Sequence, residues 1–168
     1  MSVCVYGRIN KKCINEDLLE KIITEYSFSD NVVRLMNKES VTYEGINDCN
    51  KIIVTFVNEK KPPYNVYDSA IYDGEYEYMQ LIIFDIKKEE SYIDEYKKII
   101  DFCIYIRDKI EGDILVTSDV YDEICLLKEK KIIWSSDYLS DKFNKSKIWK
   151  IIFYCRATGI IRRKLIYV

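Results

Sequence analysis

Carboxylates dominate the residues of this chain that could do chemistry. Asp73, Glu75 and Glu77 recur at every second position of "YDGEYEY", with Tyr72 and Tyr76 interleaved. A second group, Asp119, Tyr121, Asp122 and Glu123, occupies "SDVYDEI". Acids arranged this way have two uses. A pair with separated pKa values can run acid–base hydrolysis. A row of like charges can instead attract a cationic macromolecule. No spacing in the chain singles out a catalytic pair. The chain has no histidine, which removes the commonest general base and every Ser-His or Cys-His nucleophile. Its six cysteines form no CxxC and do not cluster, so a zinc site lacks ligands. Cys4, Cys103 and Cys125 lie in apolar runs and read as reduced, buried thiols. Only five glycines are present, and neither GxGxxG nor a P-loop occurs. The residues therefore predict no enzyme and no metal or other cofactor.

Recognition is the better reading of the acids. If residues 72–78 form a strand, Asp73, Glu75 and Glu77 share one face and Tyr72, Tyr76 and Tyr78 the other. Stacked carboxylates repel one another by some tenths of a kcal/mol, so the isolated strand gains nothing from them. A basic protein covering that face would. Tyrosine suits such an interface, because it offers large area at low entropy cost and a hydroxyl to bond. The expected partner-binding residues are Tyr72, Asp73, Glu75, Tyr76, Glu77, Asp119, Tyr121, Asp122 and Glu123.

The elements that must position them follow from periodicity. The 168 residues fit one domain, 1–168. "SVCVYGRI" (2–9) alternates as a strand. Asn15 is the expected cap of a helix carrying Leu18, Leu19, Ile22, Ile23 and Tyr26 on one stripe. Strands are predicted at 31–37, 51–57 and 76–86, the last being the most apolar and hence central. A helix spans 92–111, with Gly112 as its C-terminal cap. Short strands follow at 113–119, 123–129 and 131–136, then a short helix at 137–144. Strands 147–157 and 160–168 read as a closing hairpin. The fold class is α+β: a largely antiparallel sheet, two main helices packed on one face, and a closing C-terminal β-hairpin.

Charge is split along the chain. Residues 142–168 hold eight Lys/Arg and no acid, whereas residues 1–141 hold 18 basic and 28 acidic residues. Between Pro62 and Ile86 no basic residue occurs. The basic end, with Arg156, Arg162, Arg163 and Lys164 beside Tyr154 and Tyr167, leaves an RNA-binding module open as an alternative. The negative total and the absence of an RNA-binding motif argue against nucleic acid. No apolar run is long enough to span a bilayer and no signal peptide is legible, so a cytoplasmic protein without a membrane partner is expected.

"GDILVTSDVYDEICLLKEKKIIWSSDYL" (112–139) resembles the second half of small bacterial immunity proteins from polymorphic-toxin and contact-dependent growth-inhibition loci. There a helix is often followed by a "D-hydrophobic-L-x-T-S-D" strand and a hairpin ending near Trp. The matching residues here are Asp113, Leu115, Thr117, Ser118, Asp119 and Trp134. The resemblance implies an inhibitor that binds one cognate toxin domain, often a nuclease. It carries over no catalytic residues. A viral nucleic-acid mimic that inhibits a defence protein uses the same physics and stays open beside it.

Overall fold

The computed structural model describes residues 3–26, 32–36, 40–45, 52–86, 93–120, 122–129, 131–136, 138 and 164–167. The centre of the fold is β1 (Val3–Ile9), whose alternation buries Val5 and Ile9 on one side and turns Tyr6 and Arg8 to the other. It lies between β7 (Gln80–Ile86) and β8 (Ile114–Ser118), antiparallel to both. From β7 the sheet continues through β4 (Ile52–Val57) and β3 (Ser40–Gly45) to β2 (Val32–Met36). From β8 it continues through β9 (Cys125–Lys128) and β10 (Lys131–Trp134) to β11 (Lys164–Tyr167). Among the described residues, this sheet has nine strands, and its pairings are antiparallel except for β10 with β11, which is parallel.

Both helices cover the same face. α1 (Glu16–Tyr26) starts at Asn15, whose side-chain oxygen accepts the Leu18 amide at 2.8 Å, and Glu16 and Asp17 fill its positive first turn. α2 (Ile93–Lys109) buries Ile99, Ile100, Phe102, Cys103 and Ile106. These residues join Leu19, Ile22 and Ile23 of α1 and Val5, Val54, Phe84 and Val116 of the sheet in one core cluster. The predicted α+β architecture and its one-sided helices are thus present.

Several expectations change in detail. Ser40–Gly45 forms a strand that the sequence reading passed over. The run 76–86 is two strands, β6 (Gly74–Glu77) and β7, broken at Tyr78–Met79. Gly112 serves space and not a left-handed cap: a Cβ there would come within 3.1 Å of Ile9, 3.2 Å of Asn10 and 3.3 Å of Cys13. Cys4 is only half buried, whereas Cys103 and Cys125 are fully so. The predicted helix 137–144 (Tyr138 apart) and strand 147–157 lie outside the described residues. So does the pairing that would close the C-terminal hairpin, and most of the basic segment 142–168 with it. Among the described residues, no helix is long and apolar enough to cross a membrane.

Candidate partner-binding surface

The face of the sheet opposite the helices carries a separate two-stranded ribbon. β5 (Val66–Ser69) pairs antiparallel with β6, and a turn over 70–73 joins them. The turn requires unusual backbone: Asp73 has φ 65° and Gly74 φ 137°. Asp and Gly are among the residues that accept such angles at least cost.

Alternation gives the ribbon two unlike sides. The inner side is aromatic. Tyr76 is 1% exposed and its hydroxyl proton is shared between the carbonyls of Asp113 (2.8 Å) and Arg8 (3.2 Å). Tyr78 donates to the Tyr64 carbonyl at 2.9 Å, and Tyr67 to the Asp122 carbonyl at 2.8 Å. Tyr76 and Tyr78 form a second core with Leu81, Leu115 and Leu126. The Arg8 guanidinium lies within this layer, 4.4 Å from the Tyr67 ring centroid, 5.1 Å from Tyr6 and 5.6 Å from Tyr78. It also donates to Thr117 Oγ1. Burial, and then the nearby Asp113 carboxylate, hold the Tyr76 phenol far above its ordinary range.

The outer side is acidic. Glu75 and Glu77 point out from β6, and Asp68 stands directly opposite Glu75 on β5. Asp73 is exposed at the turn beside them, not in line with them, because its left-handed backbone takes it out of the strand. Asp68 was missed by the sequence reading. The Asp73–Gly74 dipeptide, a hairpin signal, could have placed it there.

The second acidic segment comes to the same place. Tyr67 and Glu123 tie the ribbon to the connection between β8 and β9. An open cleft of about 700 Å³ separates them, lined among others by Asp68, Asp73, Asp122, Glu123 and Val120. The chain matches no protein-family model, no curated protein and no solved structure. What the surface can do is therefore read from its own geometry.

The nine expected site residues fall into distinct groups. Tyr72, Asp73, Glu75, Glu77 and Asp122 are exposed around the ribbon, with Tyr72 43% exposed and edge-on to Tyr76 at 5.3 Å. Tyr76 and Glu123 are buried instead and face the protein's own interior. Glu123 is 8% exposed; it accepts the Ser69 hydroxyl and, at 3.1 Å, the Ile71 amide, which holds the turn in shape. Asp119 is exposed but spends its two oxygens on the Cys4 amide (3.0 Å) and the Tyr6 hydroxyl (2.9 Å). Burial and that bond with Asp119 raise the Tyr6 phenol. Tyr121 lies outside the described residues.

The outer acids have no ion-paired counter-charge among the described residues. Among the described residues, the ion pairs are Lys12–Glu59, Lys21–Glu25, Lys109–Glu25 and Arg107–Asp113, none of which involves Asp68, Asp73, Glu75 or Glu77. The Lys128 Nζ lies 5.8 Å from the centroid of the Tyr72 ring. Among the described residues, no group of His, Cys, Asp or Glu side chains is placed to hold a metal ion.

Proposed function

We propose that this protein is an immunity protein, which binds and neutralises a cognate bacterial toxin domain through the acidic outer side of the β5–β6 ribbon. The partner is a basic protein, a nuclease by the likeness of residues 112–139 to the immunity families. The observation that carries the reading is the outer row itself. Asp68 faces Glu75 across the ribbon, Glu77 follows on the same side, and Asp73 sits at the turn, with no described lysine or arginine paired to any of them. Like charges directly opposed on a strand pair cost stability. A cationic surface that binds phosphates elsewhere would remove this cost and be steered onto the ribbon. The protein then acts by occupying a surface that nucleic acid needs, and no chemistry on its own part is required.

The experiment uses the C-terminal domain of the large secreted protein expected to be encoded beside this chain's gene. Association is followed by stopped-flow or surface methods at low and high salt. The triple reversal Asp68→Lys, Glu75→Lys, Glu77→Lys is expected to slow association by about 10- to 100-fold at low salt and to abolish protection of cells. An association rate equal to that of the unmodified protein, with the fold intact, refutes the reading.

A further inference from the structure

The ribbon runs one pair beyond the two strands that define it. The Tyr78 amide donates to the Asn65 carbonyl at 2.8 Å, just past Val66 and Glu77. Asn65 and Tyr78 are buried, being 8% and 8% exposed. Tyr64, in the turn over 62–65, and Met79, in the break between β6 and β7, flank that last pair in the chain. Both are exposed, Tyr64 at 78% and Met79 at 49%, as is Val66 at 40%. The ribbon's exposed residues therefore divide along its length. Asp68, Glu75 and Asp73 lie toward its turn. Val66 and Glu77 oppose each other at the far end, and Tyr64 and Met79 lie beyond them. Exposed tyrosine, valine and methionine at one end of an acidic ribbon suit a protein-interaction patch.

We infer that Tyr64 and Met79, with Val66, are the anchors of the interface, and that they enter an apolar recess flanked by cations on the basic partner. This rests on the proposed function and adds a division of labour to it. The carboxylates set how fast the partner arrives, because charge acts at a distance. The apolar end sets how long it stays, because burial acts only at contact. The occupant is a basic protein because the patch is continuous with an acidic row that has no described internal counter-ion. Tyr64 is suited to the role at little cost to the fold. Its backbone carbonyl accepts the Tyr78 hydroxyl, and its ring is free to be covered.

The test compares Tyr64→Ala and Met79→Ala with the triple charge reversal, using the full chain and the neighbouring secreted protein's C-terminal domain as probe. Both alanine variants keep the backbone bonds of the ribbon, and a thermal melt of each free protein checks the fold. Dissociation of at least one is expected to accelerate about 30-fold or more, with association within about twofold of the parent. If dissociation of both stays within about threefold while the charge reversal still slows association, the anchors lie elsewhere and the proposed function stands. If the probe does not bind the unmodified chain, both fall.

Discussion

Arg8 is the residue on which the seating of the ribbon can be tested most directly. It rises from the central strand into three tyrosine rings, two of which, Tyr67 and Tyr78, belong to the ribbon or its margin. Replacing it with alanine removes one close and two longer cation–π contacts, together about 2 kcal/mol in a partly desolvated setting. It also removes a charge-assisted hydrogen bond to Thr117, about 1.5 kcal/mol. Against this, Arg8 Nε is buried without an acceptor among the described residues, and losing that unmet donor returns about 1 kcal/mol. The net cost of Arg8→Ala is about 2–3 kcal/mol, a fall in Tm of about 5–10 °C for a chain of this size. Arg8→Met fills the space with apolar atoms and has no unmet donor, so it should cost about half as much. Urea unfolding gives the total, and hydrogen exchange gives the location. Amides of 66–77 should exchange much faster in Arg8→Ala, while those of β1 and β7 change by no more than the global loss. A cost under about 0.5 kcal/mol, or a cost spread evenly over the sheet, would refute the account of how the ribbon is held.

Two further outcomes follow from other buried groups. Gln80 is fully buried; its oxygen accepts the Cys13 and Ile14 amides and its nitrogen donates to the Ile14 and Asn58 carbonyls. Gln80→Leu strands those backbone groups and should cost about 3–4 kcal/mol in chemical denaturation, with Gln80→Glu falling between. Tyr6 and Tyr76 both hold their protons more tightly when folded, chiefly through burial. Their contribution to stability is complete below the ordinary tyrosine pKa of about 10 and is lost as pH rises beyond it, because the unfolded chain releases protons the native one keeps. The urea midpoint should therefore drop steeply above about pH 10, and Tyr76→Phe should flatten that slope.

Much of the fold was legible because most strands and both helices bury one face. The alternation of 3–9, the stripe of α1 and the long apolar face of α2 each pointed to the element that forms. The run 76–86 misled for a physical reason. Its even-numbered residues Tyr76, Tyr78, Gln80, Ile82, Phe84 and Ile86 are all buried, so the period of two reads as unbroken. Yet Tyr76 and Tyr78 pack beneath the ribbon, while Ile82, Phe84 and Ile86 pack beneath the helices. Alternation reports burial and not which core does the burying. The candidate surface was half legible for a related reason. Composition marked 64–80 as acidic and aromatic, and local parity separated Glu75 and Glu77 from Tyr76. That Asp68 opposes Glu75, and that Glu123 faces inward to hold Ser69 and Ile71, depend on partners 7 and 54 residues away.

The ribbon is inserted between β4 and β7, which are themselves antiparallel neighbours with Val57 opposite Leu81. Chain leaves and re-enters the sheet at adjacent points, so the connection between them can change length or content without rerouting any strand. Its contacts with the body come from the inward tyrosines, from Ser69 and Ile71 on Glu123, and from backbone bonds at its margin, while residues 64, 66, 68, 75, 77 and 79 are exposed. The molecule is in this sense a natural display scaffold. A library randomised at those six sites should remain folded, and new binding specificities could be drawn from it while the helix-side core is left as it is.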